Sequence, residues 1–322
     1  MENLDKLYSK YRRIIDDEIV NIPLPSDINK FRNPLIYPLK GKGKRFRPFL
    51  LLMVGESLGK KIKDLLPAAL AIEILHTFTL VHDDIMDQDK VRRGLPTVHE
   101  KWNSGMAILS GDGLFALAYR KLMQLEQFDI KSITIRISET LLKICEGQVR
   151  DMNFEQQLDV TPQDYLEMVR LKTGELIGLS CALGAILAEA EGKVVEKLHN
   201  FGLILGQAFQ IQDDILEISS DQEQMGKSLG SDFVAGKKTY PLTVILSKLK
   251  EEEKKNFMSF LKKNSYNRKD VMDKFEQYNA VEESEQLVNK LINKALKELE
   301  ECSSSTRTRL RYVVDLISNR DH

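Results

Sequence analysis

Asp83, Asp84 and Asp87 end the stretch Ile74 to Asp87, read I-L-H-T-F-T-L-V-H-D-D-I-M-D, and their type and spacing suit them to metal chemistry. On a helix, residues four apart share a face and adjacent ones lie about 100° apart, so the three carboxylates converge where an apolar helix leaves the core. Clustered negative charges repel unless a cation compensates them, and oxygen ligands of this kind suit the hard divalent ion Mg²⁺. A solvated helix end is the competing reading of a single such triplet. The run Gln210 to Glu217, Q-I-Q-D-D-I-L-E, repeats the spacing in Asp213, Asp214 and Glu217 behind a largely apolar helix from Phe201 to Ile211. Gln210 shares that face. Two clusters, each at the mouth of a buried helix, point to one shared metal site.

Cations stand at matching places. In G-K-G-K-R-F-R-P, Pro48 fits the first turn of a helix, so Lys44, Arg45 and Arg47 lie at or just before its N-terminus. Free N–H groups and partial positive charge there make an anion site suited to phosphate, with a solvated basic loop as the alternative. His76 lies seven residues before Asp83, at nearly the same azimuth two turns deeper, either as a ligand-facing group or as a core histidine bonded to a carbonyl. In V-R-R-G-L-P, Gly94 and Pro96 force a turn that swings Arg92 and Arg93 back towards the acidic cluster, where arginines suit bidentate contact with phosphate. Gly147, inside the helical run E-G-Q-V-R-D, implies close backbone packing or room for a ligand. Lys172 opens the apolar, small-residue segment K-T-G-E-L-I-G-L-S-C-A-L-G-A, which fits tight packing or an elongated cavity. An unpaired ammonium is costly to bury there, and an anionic ligand would satisfy it. Lys227, Lys237 and Lys238 stand among Gly226, Gly230 and Gly236 in a loop readable as a phosphate-covering lid or as plain solvated chain.

The elements that position these groups are helical. Apolar residues recur at helical spacing nearly throughout, and alternating β-branched runs are missing. The spacing predicts helices over Leu4–Ile19, Arg47–Leu58, Asp64–Met86, Ser104–Gln124, Ser132–Gln157, Thr161–Ala190, Val194–Ser219 and Tyr240–Leu249, with two or three more in the charged tail. Thr161 and Pro162 read as an N-cap and first helical residue. Pro23, Pro25, Pro34 and Pro38 mark a connector that excludes a long helix. The expectation is an all-α fold, residues 1–322 forming a single large helical bundle. Lys plus Arg number 47 against 48 for Asp plus Glu, so no global charge advertises nucleic acid. Cys145, Cys181 and Cys302 lack metal or disulfide spacing and read as reduced thiols of a cytoplasmic protein. Met1 to Asp17 has no secretory pattern, and Leu176 to Ala188 falls short of the ~20 apolar residues that span a bilayer, so no integral membrane segment is expected.

With G-K-R-F-R-P, H-D-D-I-M-D, R-R-G-L-P-T-V-H, G-Q-V-R-D, K-T-G, F-Q-I-Q-D-D-I-L-E and G-K-K-T-Y-P in order from about Gly41 to Pro241, the chain closely resembles the trans-isoprenyl diphosphate synthases, the polyprenyl synthetase family. The resemblance implies a helical bundle around a deep central cavity, a homodimer, and Mg²⁺-dependent condensation of isopentenyl diphosphate with an allylic diphosphate, with three ions when substrate is bound. It assigns Mg²⁺ to Asp83, Asp84, Asp87 and Asp213, with Asp214 and Glu217 in support. Arg92, Lys172, Lys227 and Lys237 would hold the allylic diphosphate, and Lys44, Arg47, His76 and Arg93 the isopentenyl diphosphate. Thr173 and Gln210 would flank the allylic cation with oxygen dipoles. Glu217 departs from the aspartate usual in the family, which puts its direct metal contact in question. Phe78, five residues before Asp83 and ~7.5 Å deeper, would stop the growing tail. With Thr79 beside it and no insertion in D-D-I-M-D, this pattern resembles short-chain enzymes making the twenty-carbon geranylgeranyl product, with farnesyl diphosphate as the alternative. A terpene cyclase would not need Lys44, Arg47 and His76 and typically carries an Asn/Ser/Glu motif in place of D-D-I-L-E. A silent regulatory subunit would be marked by loss of an acidic cluster, and both clusters are intact.

Overall fold

The computed structural model describes residues 4–24, 29–41, 43–219, 236–262 and 268–318. Their regular elements are helices apart from a two-stranded ribbon, Val91–Arg92 paired with Leu95–Pro96, so the expected all-α class holds. By backbone contacts the chain divides into two compact units. One comprises Met1–Ser138, Leu179–His199 and Glu301–Val313; the other Glu139–Gly178, Asn200–Glu300 and Val314–His322.

The first unit is built on α4, Ile62–Met86, which follows α1 (Leu4–Val20), α2 (Asn29–Ile36) and α3 (Phe46–Ser57). α4 has no polar stripe along most of its length, as expected of a helix buried on all sides, and Leu65 through Leu75 are buried except for partly exposed Leu66 and Pro67. It packs on α3 and on α6, Ser104–Leu122, which follows the short α5, Val98–Lys101. Glycines set the approach: a Cβ on Gly55 would lie 2.5 Å from Leu65 Cδ1, and one on Gly184 2.6 Å from the Leu51 carbonyl. The small residues around Gly184 therefore serve tight packing. By length and composition α4 could cross a membrane, which the shorter run at 176–188 could not; most of it is buried inside the protein, as in a core helix.

α2 lies in the segment read as a proline-rich connector, and it contains Pro34. Tertiary packing sustains this short helix. Leu35 is buried, a Cβ on Gly113 of α6 would meet Leu35 and Phe31 at 2.9 Å, and Ser110 Oγ donates to the Pro34 carbonyl at 2.8 Å.

The second unit takes the later part of α7 (Ile130–Phe154) with α8 (Pro162–Val169), the start of α9 (Glu175–Leu187) and most of α10 (Gly192–Ser219). Thr161 caps α8 through a reciprocal box with Asp164, as the sequence predicts. The single helix expected over Thr161–Ala190 is interrupted by a π-helical turn, Arg170–Gly174. Gly174 explains the local crowding: a Cβ on Gly206 of α10 would lie 2.7 Å from the Gly174 Cα. Beyond Tyr240–Lys248, the charged tail forms Glu251–Lys262, Arg268–Gln277, Ala280–Glu298 and Ser304–Ser318 among the described residues, more than the two or three expected. The ends of the other predicted helices agree with the structure to within three residues.

Candidate active site

Asp83 and Asp84 occupy the last turns of α4, and Asp87 is its C-cap residue. The ribbon that follows turns at Arg93 and Gly94, both at positive φ (54° and 76°), the signature of a two-residue hairpin turn. That turn returns Arg92 to the acidic cluster, as Gly94 and Pro96 foretold. Its Nε donates to Asp84 Oδ1, and one terminal nitrogen reaches Asp89 at 3.3 Å. Asp84 is only 4% exposed. Burial pushes its carboxyl up to about 6, against the opposing pull of Arg92. Asp83 and Asp87 are more open.

Arg93 lies beside the basic loop. A Cβ on Gly43 would fall 2.7 Å from one terminal nitrogen of Arg93, so glycine is what lets the guanidinium lie against the loop. Lys44 is exposed and its carbonyl accepts from the Tyr8 hydroxyl at 2.5 Å. Arg47 Nη1 donates to His76 Nε2 at 3.0 Å. Burial, then the charges of Arg47, Arg93, Arg92 and Arg45, hold His76 well below the ordinary histidine value. The imidazole is therefore neutral, with Nε2 accepting and the proton on Nδ1. His76 thus sits among the cations as a neutral acceptor.

The residue that organises this loop is Arg45, which the sequence reading treated only as one more cation. It is 4% exposed and sits in left-handed backbone (φ 50°) just ahead of α3. Its guanidinium bonds Glu73 at 2.6 Å, Asp16 at 2.8 Å, and the carbonyls of Leu39 and Gly41 at 2.8 and 3.1 Å. One buried side chain thus ties α1, α4 and the loop together and leaves Lys44 and Arg47 on either side.

Phe78 lies one to two turns before the aspartates. Its ring meets His82 at 4.9 Å and Phe115 of α6 at 5.5 Å, and Phe115 in turn meets Tyr119 at 4.8 Å. Thr79 donates its hydroxyl back to the His76 carbonyl at 2.9 Å, so it presents its methyl and little polarity.

In the second unit, the π-helical turn carries Lys172 and Thr173. Such turns are rare and recur at functional sites because they displace side chains from helical register. A Cβ on Gly147 would lie 2.5 Å from the Lys172 backbone nitrogen, so the glycine of G-Q-V-R-D serves close backbone packing. Lys172 Nζ is paired with Asp151 at 2.5 Å. Its charge is thus met within the chain, by the aspartate of the same motif, before any anionic ligand is invoked. Thr173 Oγ1 donates to Gln210 Oε1 at 3.2 Å, and Gln210 Nε2 donates to Asp214 Oδ1 at 3.1 Å. Asp214 Oδ2 accepts from the Tyr165 hydroxyl at 2.5 Å and from the Tyr240 backbone N–H at 3.0 Å. Burial raises the Asp214 carboxyl to about 7, with these three donors opposing. Asp213 and Glu217 are half-buried on the same helix. Tyr165 is a site residue the sequence reading missed; nothing local marks it, since it reaches Asp214 from another helix. Lys237 is half-buried, and Lys227 lies outside the described residues.

Among the described residues, no three His, Cys, Asp or Glu side chains are gathered into a metal-ligand group. Asp84 is held by Arg92 and Asp214 by three donors instead. Each of the two clusters, taken by itself, offers only carboxylate oxygen, the chemistry that Mg²⁺ takes.

The pattern of the polyprenyl synthetase family matches residues 28–278. A short chain isoprenyl diphosphate synthase of Methanothermobacter thermautotrophicus is 36% identical over the full length of both chains. A geranylgeranyl diphosphate synthase of Saccharolobus solfataricus is 42% identical over 83% of this chain and 82% of its own. Among solved structures, the geranylgeranyl pyrophosphate synthetase of Pyrococcus horikoshii Ot3 superposes with a TM-score of 0.91 at 33% identity, covering 99% of each chain.

Proposed function

The chain belongs to the polyprenyl synthetase family, as a short-chain prenyltransferase, and from that premise we propose that it condenses isopentenyl diphosphate with an allylic diphosphate to give geranylgeranyl diphosphate. The observation that carries the product assignment is the Phe78–Phe115 contact. A phenyl ring braced from α6, ~7.5 Å along α4 from Asp83, is a rigid stop for a tail that grows away from a diphosphate held at the aspartates. The smaller farnesyl product is the second reading, on the same stop.

The roles follow from the chemistry of each group. Mg²⁺, held by Asp83, Asp84, Asp87 and Asp213, as three ions with substrate, would neutralise the allylic diphosphate and ease departure of pyrophosphate. Asp214 and Glu217 support that set, and the three donors already on Asp214 suit a supporting role. Arg92, Lys172, Lys227 and Lys237 hold the allylic diphosphate and share the charge that builds on the leaving group. Lys44, Arg47 and Arg93 hold isopentenyl diphosphate. Neutral His76 aids them by accepting from Arg47 and fixing the direction of that guanidinium. Thr173 and Gln210 offer oxygen dipoles to the allylic cation. The double bond of isopentenyl diphosphate attacks that cation, and the departing pyrophosphate takes the final proton, so no protein base is required.

The reading extends to a cytoplasmic homodimer with no nucleic-acid partner and no integral membrane segment. Its supports are three unpaired cysteines and a line of exposed apolar side chains on α7, Leu142 (71% exposed), Val149 and Met152. The test is direct. With Mg²⁺, isopentenyl diphosphate and dimethylallyl, geranyl or farnesyl diphosphate, the protein releases pyrophosphate, and excess chelator stops it. No release with any starter would contradict the proposal.

A further inference from the structure

Gln148 follows Gly147 on α7, and its side chain is 6% exposed. Neither its amide nitrogen nor its amide oxygen has a hydrogen-bond partner among the described residues. A buried carboxamide with both ends unmatched is unusual, because each unmatched polar atom lowers the stability of the fold. Its place is also specific. Gly147 is pressed against the Lys172 backbone, and Asp151, one turn further along, bonds the Lys172 ammonium at 2.5 Å. Residues 147, 148 and 151 share one helix face, so Gln148 belongs to the surface that α7 turns towards the π-helical turn of Lys172 and Thr173.

We propose that Gln148 is a catalytic residue whose amide is matched only by the allylic substrate, at the end of the molecule where the bond breaks. A carboxamide suits that task. Its NH₂ donates to an oxygen of the allylic diphosphate, and its carbonyl turns a negative dipole towards the carbon that becomes cationic. Unlike a carboxylate, it does both without a charge that would trap the cation. The dipole is of the same kind as those offered by Thr173 and Gln210, and it comes from a different helix. The unmatched amide is then a stability cost retained for a transition-state interaction.

This inference rests on the prenyltransferase reading, and the experiment separates the two. Wild-type enzyme is assayed first for Mg²⁺-dependent condensation; its failure would remove the function itself. Given an active wild type, Gln148→Met, nearly isosteric and apolar, is compared with it for Tm, kcat and both KM values. Removing an unmatched buried amide leaves Tm within about 2 °C or raises it. Losing a transition-state dipole lowers kcat by roughly ten- to a hundredfold, or raises the KM of the allylic diphosphate, while the KM of isopentenyl diphosphate stays put. A drop in Tm would mean that the amide has a structural partner and would overturn the proposal. So would unchanged kinetics, or an effect confined to isopentenyl diphosphate. Gln148→Leu repeats the comparison with a branched apolar side chain and follows the same rule.

Discussion

At the scale of single residues, Lys44 and Arg45 are adjacent cations with opposite duties. Lys44 is exposed, so Lys44→Ala leaves stability within about 0.5 kcal/mol and raises the KM of isopentenyl diphosphate about tenfold. Arg45 is buried against Glu73, and Arg45→Ala strands that carboxylate at a cost of about 3–5 kcal/mol, read as a lowered denaturation midpoint. Equal stability of the two variants would contradict this division. Phe78→Ala opens the stop and lengthens the product, and Phe115→Ala, which removes only the brace, lengthens it less. Product of wild-type length from both would refute the stop. The acids, the cations and Phe78 were legible in the sequence because each declares its chemistry by type and spacing. Asp16, Glu73 and Tyr165 were not, since their partners lie 29, 28 and 49 residues away and only the fold brings them together.

At the scale of elements, periodicity located the main helices but hid the π-helical turn at Arg170–Gly174. One extra residue in a turn barely alters an apolar pattern, and Gly147 of α7 and Gly206 of α10 press against that turn. Gly147→Ala tests how much that close approach matters. Its methyl would meet the Lys172 backbone, which cannot yield as a flexible side-chain end would, so a loss of about 1–3 kcal/mol is expected with a fall in kcat. A variant as stable and active as wild type would show that the helices slide apart freely. The proline-rich segment holds no long helix, as expected, and the pocket that Gly113 leaves for Phe31 and Leu35 supports the short α2 around Pro34.

At the scale of the whole molecule, Leu142 on the exposed apolar line of α7 tests the homodimer. Leu142→Glu places a charge there and converts a dimer into monomers by sedimentation; a wild type that already sediments as a monomer would contradict the assignment. The balance of 47 basic and 48 acidic residues gave no hint of such an association, which depends on how side chains are distributed over the surface. Product chain length reads out both the reaction and the Phe78 stop at once. Purified protein is given Mg²⁺, labelled isopentenyl diphosphate and each allylic starter in turn, and the products are separated by chromatography. Geranylgeranyl diphosphate is expected as the longest major product from dimethylallyl, geranyl and farnesyl starters. Products that run well beyond twenty carbons would contradict the Phe78 stop, and no condensation from any starter would contradict the reaction itself.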